Sequence, residues 1–536
     1  MKRVSSGLWG SVLLAVVFAG CSPSPEWRAA DSITAEELKT HLDILASDEF
    51  RGRNAPSPEL KIASRYLAVW AESYGFEPLL PDGRFLQPIP LVTIEADADL
   101  THTVWASRAG RREFVLAQDF GLLGRVSEPM RVSGSVLFVG LGLSAPDQNW
   151  DDMESLDLEG QIVVMLDPDL PAGHSLMKDA SRRLLRRRSW AALQKGAAAV
   201  LIVISEARER EFRERGHSFS PVASVRLDVE LESLAVASPR ASQLRMEIRH
   251  GMAAALLGVS MEELSGMYSA LRAGKSVLGR LIPGGRLDIR IETNEYRETT
   301  YNVVAWLEGT DEQLKQEYVL IGSHHDHVGA REERIFNGAD DNGSGSVAML
   351  EIAQALALVR PKRSVILVWH TAEEKGLWGA RYFVENSPVP VEKISAQINL
   401  DMISRNDPNQ LYLIGSRILS TGLDEALHAV NEADSRMIFD YAYEDPKHAD
   451  RFFFRSDHYP YIQFGIPAVW LFCGTTEDYH QETDTVDRVD FQKMARVTRL
   501  AYLTTMYIGN LSRMLPLDAH ADITRRGAHN LVVPWR

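Results

Sequence analysis

From Tyr301 onward the chain alternates short apolar runs with helical stretches, and most of the runs give way to residues that can bind a metal ion. The spacing predicts strands at Asn302 to Leu307, Tyr318 to Gly322, Ser364 to His370, Gln397 to Asp401, Gln410 to Ile414 and Pro467 to Phe472. Short runs of this kind suit strands covered on both faces. The apolar stretch from Ser346 to Val359 reads as a helix between the second and third strands, stopped by Pro361. Such alternation predicts an α/β sandwich with ligand sites beyond the strand ends.

The rest of the chain is organised differently. Lys2 and Arg3 precede an apolar run from Leu8 to Ala19, too short to span a bilayer, and then Phe18-Ala19-Gly20-Cys21. This reads as a signal peptide over 1–20 with a bacterial lipoprotein box, Cys21 being the lipidated residue and Phe18 standing where Leu is usual. Export and anchoring at a bacterial membrane follow, facing periplasm or exterior, and Ser22 suits the outer membrane. Residues 21–31 read as a tether. Helices are predicted from Ser32 onward and from Leu60 to Tyr74. Between 125 and 290 short strands such as Val136 to Val139 and Ile162 to Met165 carry no metal-ligand pattern, which marks a separate inserted module. Arg182, Arg183, Arg186, Arg187 and Arg188 within it read as a solvated helix face. The domain expected around the insert covers 32–124 and 291–520, with a tail at 521–536. A net charge of -15 argues against nucleic acid as a partner. With Cys21 acylated, Cys473 has no partner, so the fold relies on no disulfide.

Five places carry chemistry: Gly322-Ser323-His324-His325-Asp326-His327, Asn337 to Gly345, Thr371-Ala372-Glu373-Glu374-Lys375-Gly376, Asn399-Leu400-Asp401-Met402 and Asp478-Tyr479-His480. Zinc takes imidazole nitrogen and carboxylate oxygen. Two zinc ions need about five protein ligands, one of them a shared carboxylate. His324, Asp340, Glu374, Asp401 and His480 supply such a set. Each motif alone is weak: a Glu pair is ordinarily solvated, and Asp341 is placed to cap the following helix. Their joint order along the chain carries the weight.

These motifs resemble the bacterial leucyl aminopeptidase type of zinc exopeptidase, whose superfamily includes glutaminyl cyclase, glutamate carboxypeptidase II and the inactive transferrin receptor. Leu45-Ala46-Ser47-Asp48-Glu49-Phe50-Arg51-Gly52-Arg53, Ser456-Asp457-His458 and Gly465-Ile466-Pro467-Ala468 also resemble the family. The resemblance implies a three-layer fold with a central mixed sheet and helices on both faces, plus a β-rich protease-associated domain as the insert. It implies two Zn²⁺ per chain and a peptide substrate. Asp340 would bridge the ions, Glu374 and His480 would complete one site, and His324 and Asp401 the other. Asp326 would hydrogen-bond His324, and Glu373 would be the general base toward the attacking water. The Asp340-Asp341 peptide would be cis. Asp457 and His458 are candidates for substrate binding, whereas His325, His327 and His370 read as structural.

Three other activities fit related scaffolds. A carboxypeptidase of the glutamate type would need arginines at the site, and Arg331, Arg334 and Arg405 lie near motif loops. A glutaminyl cyclase would be a compact single domain. A receptor on an inactive scaffold would have lost ligands, and here the set is complete. Replacing Cys21 with Ser should release the mature protein from membranes into the soluble fraction; membrane retention of the Cys21→Ser protein after fractionation would remove the anchor.

Overall fold

Successive residues of a strand face opposite sides of a sheet, and here the two sides meet different cores. Val319, Ile321, Val365, Leu367, Ile398 and Leu400 pack in one, and Leu320, Ile366, Val368, Ile394 and Trp470 in the other. The first is closed by the helices Ala35–Leu45, Pro58–Ser73, Gly345–Leu358, Thr421–Ala433 and Phe491–Asn510. The second is closed by Trp378–Glu385 and His458–Gln463. The result is the expected sandwich of helices, mixed sheet and helices. It is seen in a computed structural model that describes residues 24–519 apart from 124–125, 127, 146–149, 169, 172–173, 175, 177–178, 217, 221, 236–243 and 332. Cys21, the signal segment and the tail lie outside the described residues.

Four strands at the centre run parallel, in the order Ser364–His370, Tyr318–His324, Ile394–Leu400 and Ala468–Phe472. Thr293–Leu307 and Gln410–Ile414 flank them antiparallel. The predicted strands are therefore present within one to three residues, except that Thr293–Leu307 starts well before Asn302. The parallel arrangement brings the C-terminal ends of all four central strands to one edge, where loops can converge.

Four expectations need correcting. The tether predicted at 21–31 contains a helix, Pro25–Ala30, whose Ala29 and Ala30 are buried. Arg499 of the last helix donates to the Ala30 carbonyl at 2.8 Å, so this segment is docked. The boundary at 124/125 also falls elsewhere. Strands His102–Ser107, Gly110–Val115 and Phe120–Leu122 belong to the sheets of the second module. Leu86–Ala96 and Thr293–Leu307 form a long antiparallel ribbon shared by both bodies. Val303 and Ala305 lie in the first core, but Val92, Ile94 and Ala96 pack with Trp105, Phe114 and Ile162 in a separate core. The division runs through the middle of these strands, where no loop composition marks it. Val222–Leu227, expected in the insert, pairs with Leu91–Glu95 and so extends the main sheet along this ribbon. Arg188 is buried, not solvated: its guanidinium donates to the Leu185 and Leu166 carbonyls.

The Gly345–Leu358 helix, which closes the first core, carries a buried acid, Glu351. It is fully buried, 3.6 Å from His41 Nε2, and Glu37 lies beside it. Burial, then the nearby Glu37, pushes its carboxyl up to about 8. A carboxyl raised in the folded state holds its proton after the unfolded chain has released it, so its contribution to stability is full below 4.5 and lost as pH rises toward about 8. Glu351→Gln should therefore gain stability over the parent at pH 8, on the order of 1–3 kcal/mol, and little at pH 5. Thermal melts of both proteins across this range check it, and a difference independent of pH would contradict it.

Candidate metal centre

The strand Tyr318–His324 delivers His324 to the edge where the parallel strands end, and the loop that follows turns back across it. His324 Nδ1 donates to the Asp326 carbonyl at 3.1 Å, which leaves Nε2 free to accept. Nε2 lies 3.5 Å from Asp341 Oδ1 and 3.4 Å from Asp401 Oδ1. Asp401 follows the neighbouring strand, and Ser456 Oγ donates to its other oxygen at 2.5 Å. These three side chains form one group of metal-type donors, all buried.

A second group shares Asp341 with the first: His327, Asp341, Glu374 and His480. Glu374 Oε1 is 3.1 Å from His327 Nδ1 and 3.0 Å from His480 Nε2, and Asp341 Oδ2 is 3.2 Å from His480 Nε2. His480 holds a left-handed backbone, φ 56°. Glu373, next in sequence to Glu374, belongs to neither group; its Oε2 stands 3.9 Å from His324 Nε2. Burial raises the Glu373 carboxyl well above its ordinary range, against the pull of His324. Burial acts to raise Glu374 too, but His327 and His480 outweigh it and hold that carboxyl well below its ordinary range.

Asp340 is not part of either group. Its Oδ1 accepts from Ser404 N at 3.0 Å and Ser404 Oγ at 2.6 Å, so the carboxylate points into the protein. The shared position falls to Asp341. Neighbouring residues in the irregular turn Ala339–Ser344 point opposite ways, and the cis peptide is Asp341-Asn342, not Asp340-Asp341. The Asp484 carboxylate fixes this turn by accepting from Asp340 N at 2.9 Å and Asp341 N at 3.0 Å. Gly338 enters the turn at φ 59°, where a Cβ would meet the Asp341 carbonyl oxygen at 2.2 Å.

Asp326 also departs from expectation. Its carboxylate is 3.8 Å from His324 Nδ1 and instead accepts from Glu373 N at 3.1 Å and Glu374 N at 3.4 Å. It thus orients the Glu373-Glu374 turn, while its backbone carbonyl orients His324. Asp457 and His458 are fully buried, and neither lines the cavity beside the donors. Asp457 lies 3.3 Å from His370, and His458 packs against Trp470. His325 is a structural tie to Ser64 and the His370 carbonyl. The cavity is lined by the donors His324, Asp341, Glu374 and Asp401, by Glu373, and by Met402, Phe452, Arg455, Trp470, Phe472, Thr475 and Tyr479.

Sequence reasoning missed Asp341, His327, Asp484 and Arg53. Arg53 is fully buried and donates to the carbonyls of Leu45, His325, Asn337 and Gly338 at 2.7–3.0 Å. Its place in the Arg51-Gly52-Arg53 turn was the available signal. For Asp341 there was none, because adjacent identical side chains cannot be told apart by pattern.

The donor sets suit zinc: imidazoles and carboxylates cluster there, buried except for the partly exposed Glu374 and His480, with the ring nitrogens of His327 and Nε2 of His480 lacking hydrogen-bond partners. Residues 302–505 match the model for peptidase family M28. Leucine aminopeptidase 2 of Arthroderma otae is 29% identical over 281 residues, covering 47% of this chain and 54% of its own length. Probable leucine aminopeptidase 2 of Aspergillus fumigatus is 32% identical over 237 residues, covering 42% and 44%. The chain thus spans about half the length of these relatives. An aminopeptidase from Aneurinibacillus sp. strain AM-1 superposes with a TM-score of 0.53 at 19% identity, over 93% of this chain and 98% of that one. A zinc aminopeptidase from Bacillus subtilis does so at 0.54 and 16%, over 92% and 99%. At these identities the likeness is one of fold.

The geometry separates Asp340 from Asp341. Asp341→Ala should abolish divalent-metal binding to the chelator-stripped protein at both groups. Asp340→Asn should keep the metal and lose about 1–3 kcal/mol of stability through its Ser404 contacts. Metal analysis and thermal melts of the two variants check this, and the reverse pattern of metal loss would restore Asp340 as the bridge.

Proposed function

Because residues 302–505 match the model for peptidase family M28, we propose that the chain is a zinc-dependent exopeptidase, and specifically an aminopeptidase that holds two zinc ions. The observation that carries this reading is a pair of donor groups sharing Asp341 beside a cavity, with Glu373 outside both groups and lining that cavity. Zinc bound there would supply Lewis acidity to the scissile carbonyl and to water. Glu373 takes the proton from the attacking water and returns it to the leaving amine. Asp326 holds the Glu373 and Glu374 amides and so fixes which carboxylate faces the cavity. Export and a lipid anchor at Cys21 would place the activity outside the cytoplasm, and the second module, read as protease-associated, contributes none of the donors among the described residues.

The cavity favours an aminopeptidase over a glutamate-type carboxypeptidase. Met402, Phe452, Trp470 and Phe472 offer an apolar wall for a substrate side chain. The three arginines considered for carboxylate recognition are engaged elsewhere: Arg331 and Arg334 lie over Phe336, and Arg405 pairs with Asp478 at 2.6 Å. Arg455, the arginine that does line the cavity, lies over Phe452 and donates to the Tyr479 hydroxyl at 3.0 Å. Two donor groups also favour a two-zinc peptidase over a cyclase. Leucyl and phenylalanyl anilides should be cleaved faster than glutamyl anilide, with activity abolished by a chelator. Preferential release of a C-terminal glutamate, or turnover of N-terminal glutamine to a cyclic product, would replace this reading.

Glu373 and Glu374 should part in kinetics and metal content. Glu373→Gln should keep its zinc and lose roughly 10²–10⁴-fold in kcat with KM little changed. Glu374→Gln should lose zinc and activity together. Metal analysis with steady-state kinetics decides, and near-normal turnover by Glu373→Gln would remove it as the base.

A further inference from the structure

Ligand atoms about 2.0–2.2 Å from a tetrahedral zinc sit roughly 3.3–3.6 Å from one another. The donor atoms of the group His327, Asp341, Glu374 and His480 are separated by 3.0, 3.1, 3.2 and 3.8 Å where they pair across carboxylate and imidazole. Those of the group His324, Asp341 and Asp401 are 3.4 and 3.5 Å apart. Both spacings suit the corners of a coordination shell, but the first group has four corners and the second three.

His327 makes the difference. Its side chain is fully buried and neither ring nitrogen has a hydrogen-bond partner, although Nδ1 lies 3.1 Å from Glu374 Oε1. Its polar neighbours are the carboxylates of Glu374 and Asp341, at 3.1 and 3.8 Å, and a buried imidazole facing two carboxylates can give its lone pair to a cation held between them. The backbone gives it little freedom to move away. Its N–H donates to the Arg53 carbonyl at 3.1 Å, it bridges Asn54, and its ring sits edge-on to that of His480 at 5.4 Å. The cavity supplies an independent observation. All three donors of the group His324, Asp341 and Asp401 line it, whereas of the four-donor group Asp341 and Glu374 do and the imidazoles of His327 and His480 do not.

We propose, resting on the zinc-peptidase reading above, that the two metal positions are unequal and that His327 is the cause. It completes a closed position of four protein donors with Asp341, Glu374 and His480. The position at His324, Asp341 and Asp401 keeps a free coordination site facing the cavity and Glu373. Four protein donors are the pattern of a retained ion, and three with an opening that of an ion exposed to substrate. The closed position therefore binds zinc more tightly and fills first, and the shared Asp341 then brings the second ion to the open position.

The test is calorimetric titration of the chelator-stripped full-length protein with Zn²⁺, and the visible absorption of stoichiometric Co²⁺. The parent should bind two equivalents, the first at least about tenfold tighter than the second, with a four-coordinate Co²⁺ spectrum for the first equivalent. His327→Ala should weaken the tight equivalent by about tenfold or more and narrow the gap, and His324→Ala should keep the tight equivalent and lose the weak one. His327→Gln, which retains a polar side chain of similar size, guards against a folding defect and should behave as His327→Ala does. Two equal affinities in the parent, or an unaltered tight equivalent in either His327 variant, would overturn the proposal while leaving the zinc-peptidase reading standing. No Zn²⁺ binding by the parent would overturn both.

Discussion

Unbalanced negative charge in the interior is the constraint around which this fold is organised. Asp326, Asp340, Asp341, Asp401, Asp457 and Asp484 are buried, and Glu373 and Glu374 are nearly so, all in one region. Removing a carboxylate from water costs several kcal/mol unless it is paired or hydrogen-bonded. Three of them accept hydrogen bonds from the protein itself, through backbone amides and a hydroxyl: Asp326 from Glu373 and Glu374, Asp340 through its Oδ1 from Ser404, and Asp484 from Asp340 and Asp341. Of the other five, Asp341, Glu374 and Asp401 are gathered with imidazoles into donor groups, Glu373 lines the cavity beside them, and Asp457 faces His370 at 3.3 Å. The division between carboxylates held by the protein and those gathered with imidazoles separates the support of the candidate site from its donors.

Holding that division requires a rigid turn, and the chain builds it from distant pieces. The buried Arg53 guanidinium joins the carbonyls before the Ala339–Ser344 turn to the end of the Ala35–Leu45 helix. Asn342 ties the same turn to Ser323 and to the Leu400 carbonyl, so the turn is bonded to both strands that deliver His324 and Asp401. The helix start at Gly345 packs so closely on Leu400 that a Cβ there would meet its carbonyl oxygen at 2.2 Å. Asp341 is thus positioned by contacts separated by hundreds of residues in sequence, which is how one carboxylate reaches two donor groups.

The second module stands in a different relation to the site. It shares the Leu86–Ala96 and Thr293–Leu307 ribbon with the main sheet and touches it again where the Glu385 carboxylate accepts from the Glu232 and Ser233 amides. Arg381 of the same helix donates to the Ser233 carbonyl. These contacts dock the module beside the sheet face covered by Trp378–Glu385 without lending it a donor. Its own core, built on Ile162, Val164, Leu201 and Met246, is separate from those of the main sheet.

Several features were legible in the chain alone. Apolar runs of strand length separated by helical stretches specify strands covered on both faces; Ser364–His370, in the parallel centre, and Gln410–Ile414, antiparallel beside it, begin and end where the pattern places them. His324, Glu374, Asp401 and His480 could be singled out because ligand chemistry restricts residue type and strand ends restrict place. Glu373 could be distinguished from Glu374 only through family resemblance. Local pattern was silent on which of Asp340 and Asp341 turns inward, on whether His327 joins the donors, and on Asp457 and His458 being enclosed. It was equally silent on the module boundary, which falls inside two continuous strands. These were decided by tertiary structure, for one physical reason. The direction of a side chain in an irregular turn depends on hydrogen bonds from remote residues, here Asp484, Ser404 and Arg53, and the amino-acid order contains no local trace of them.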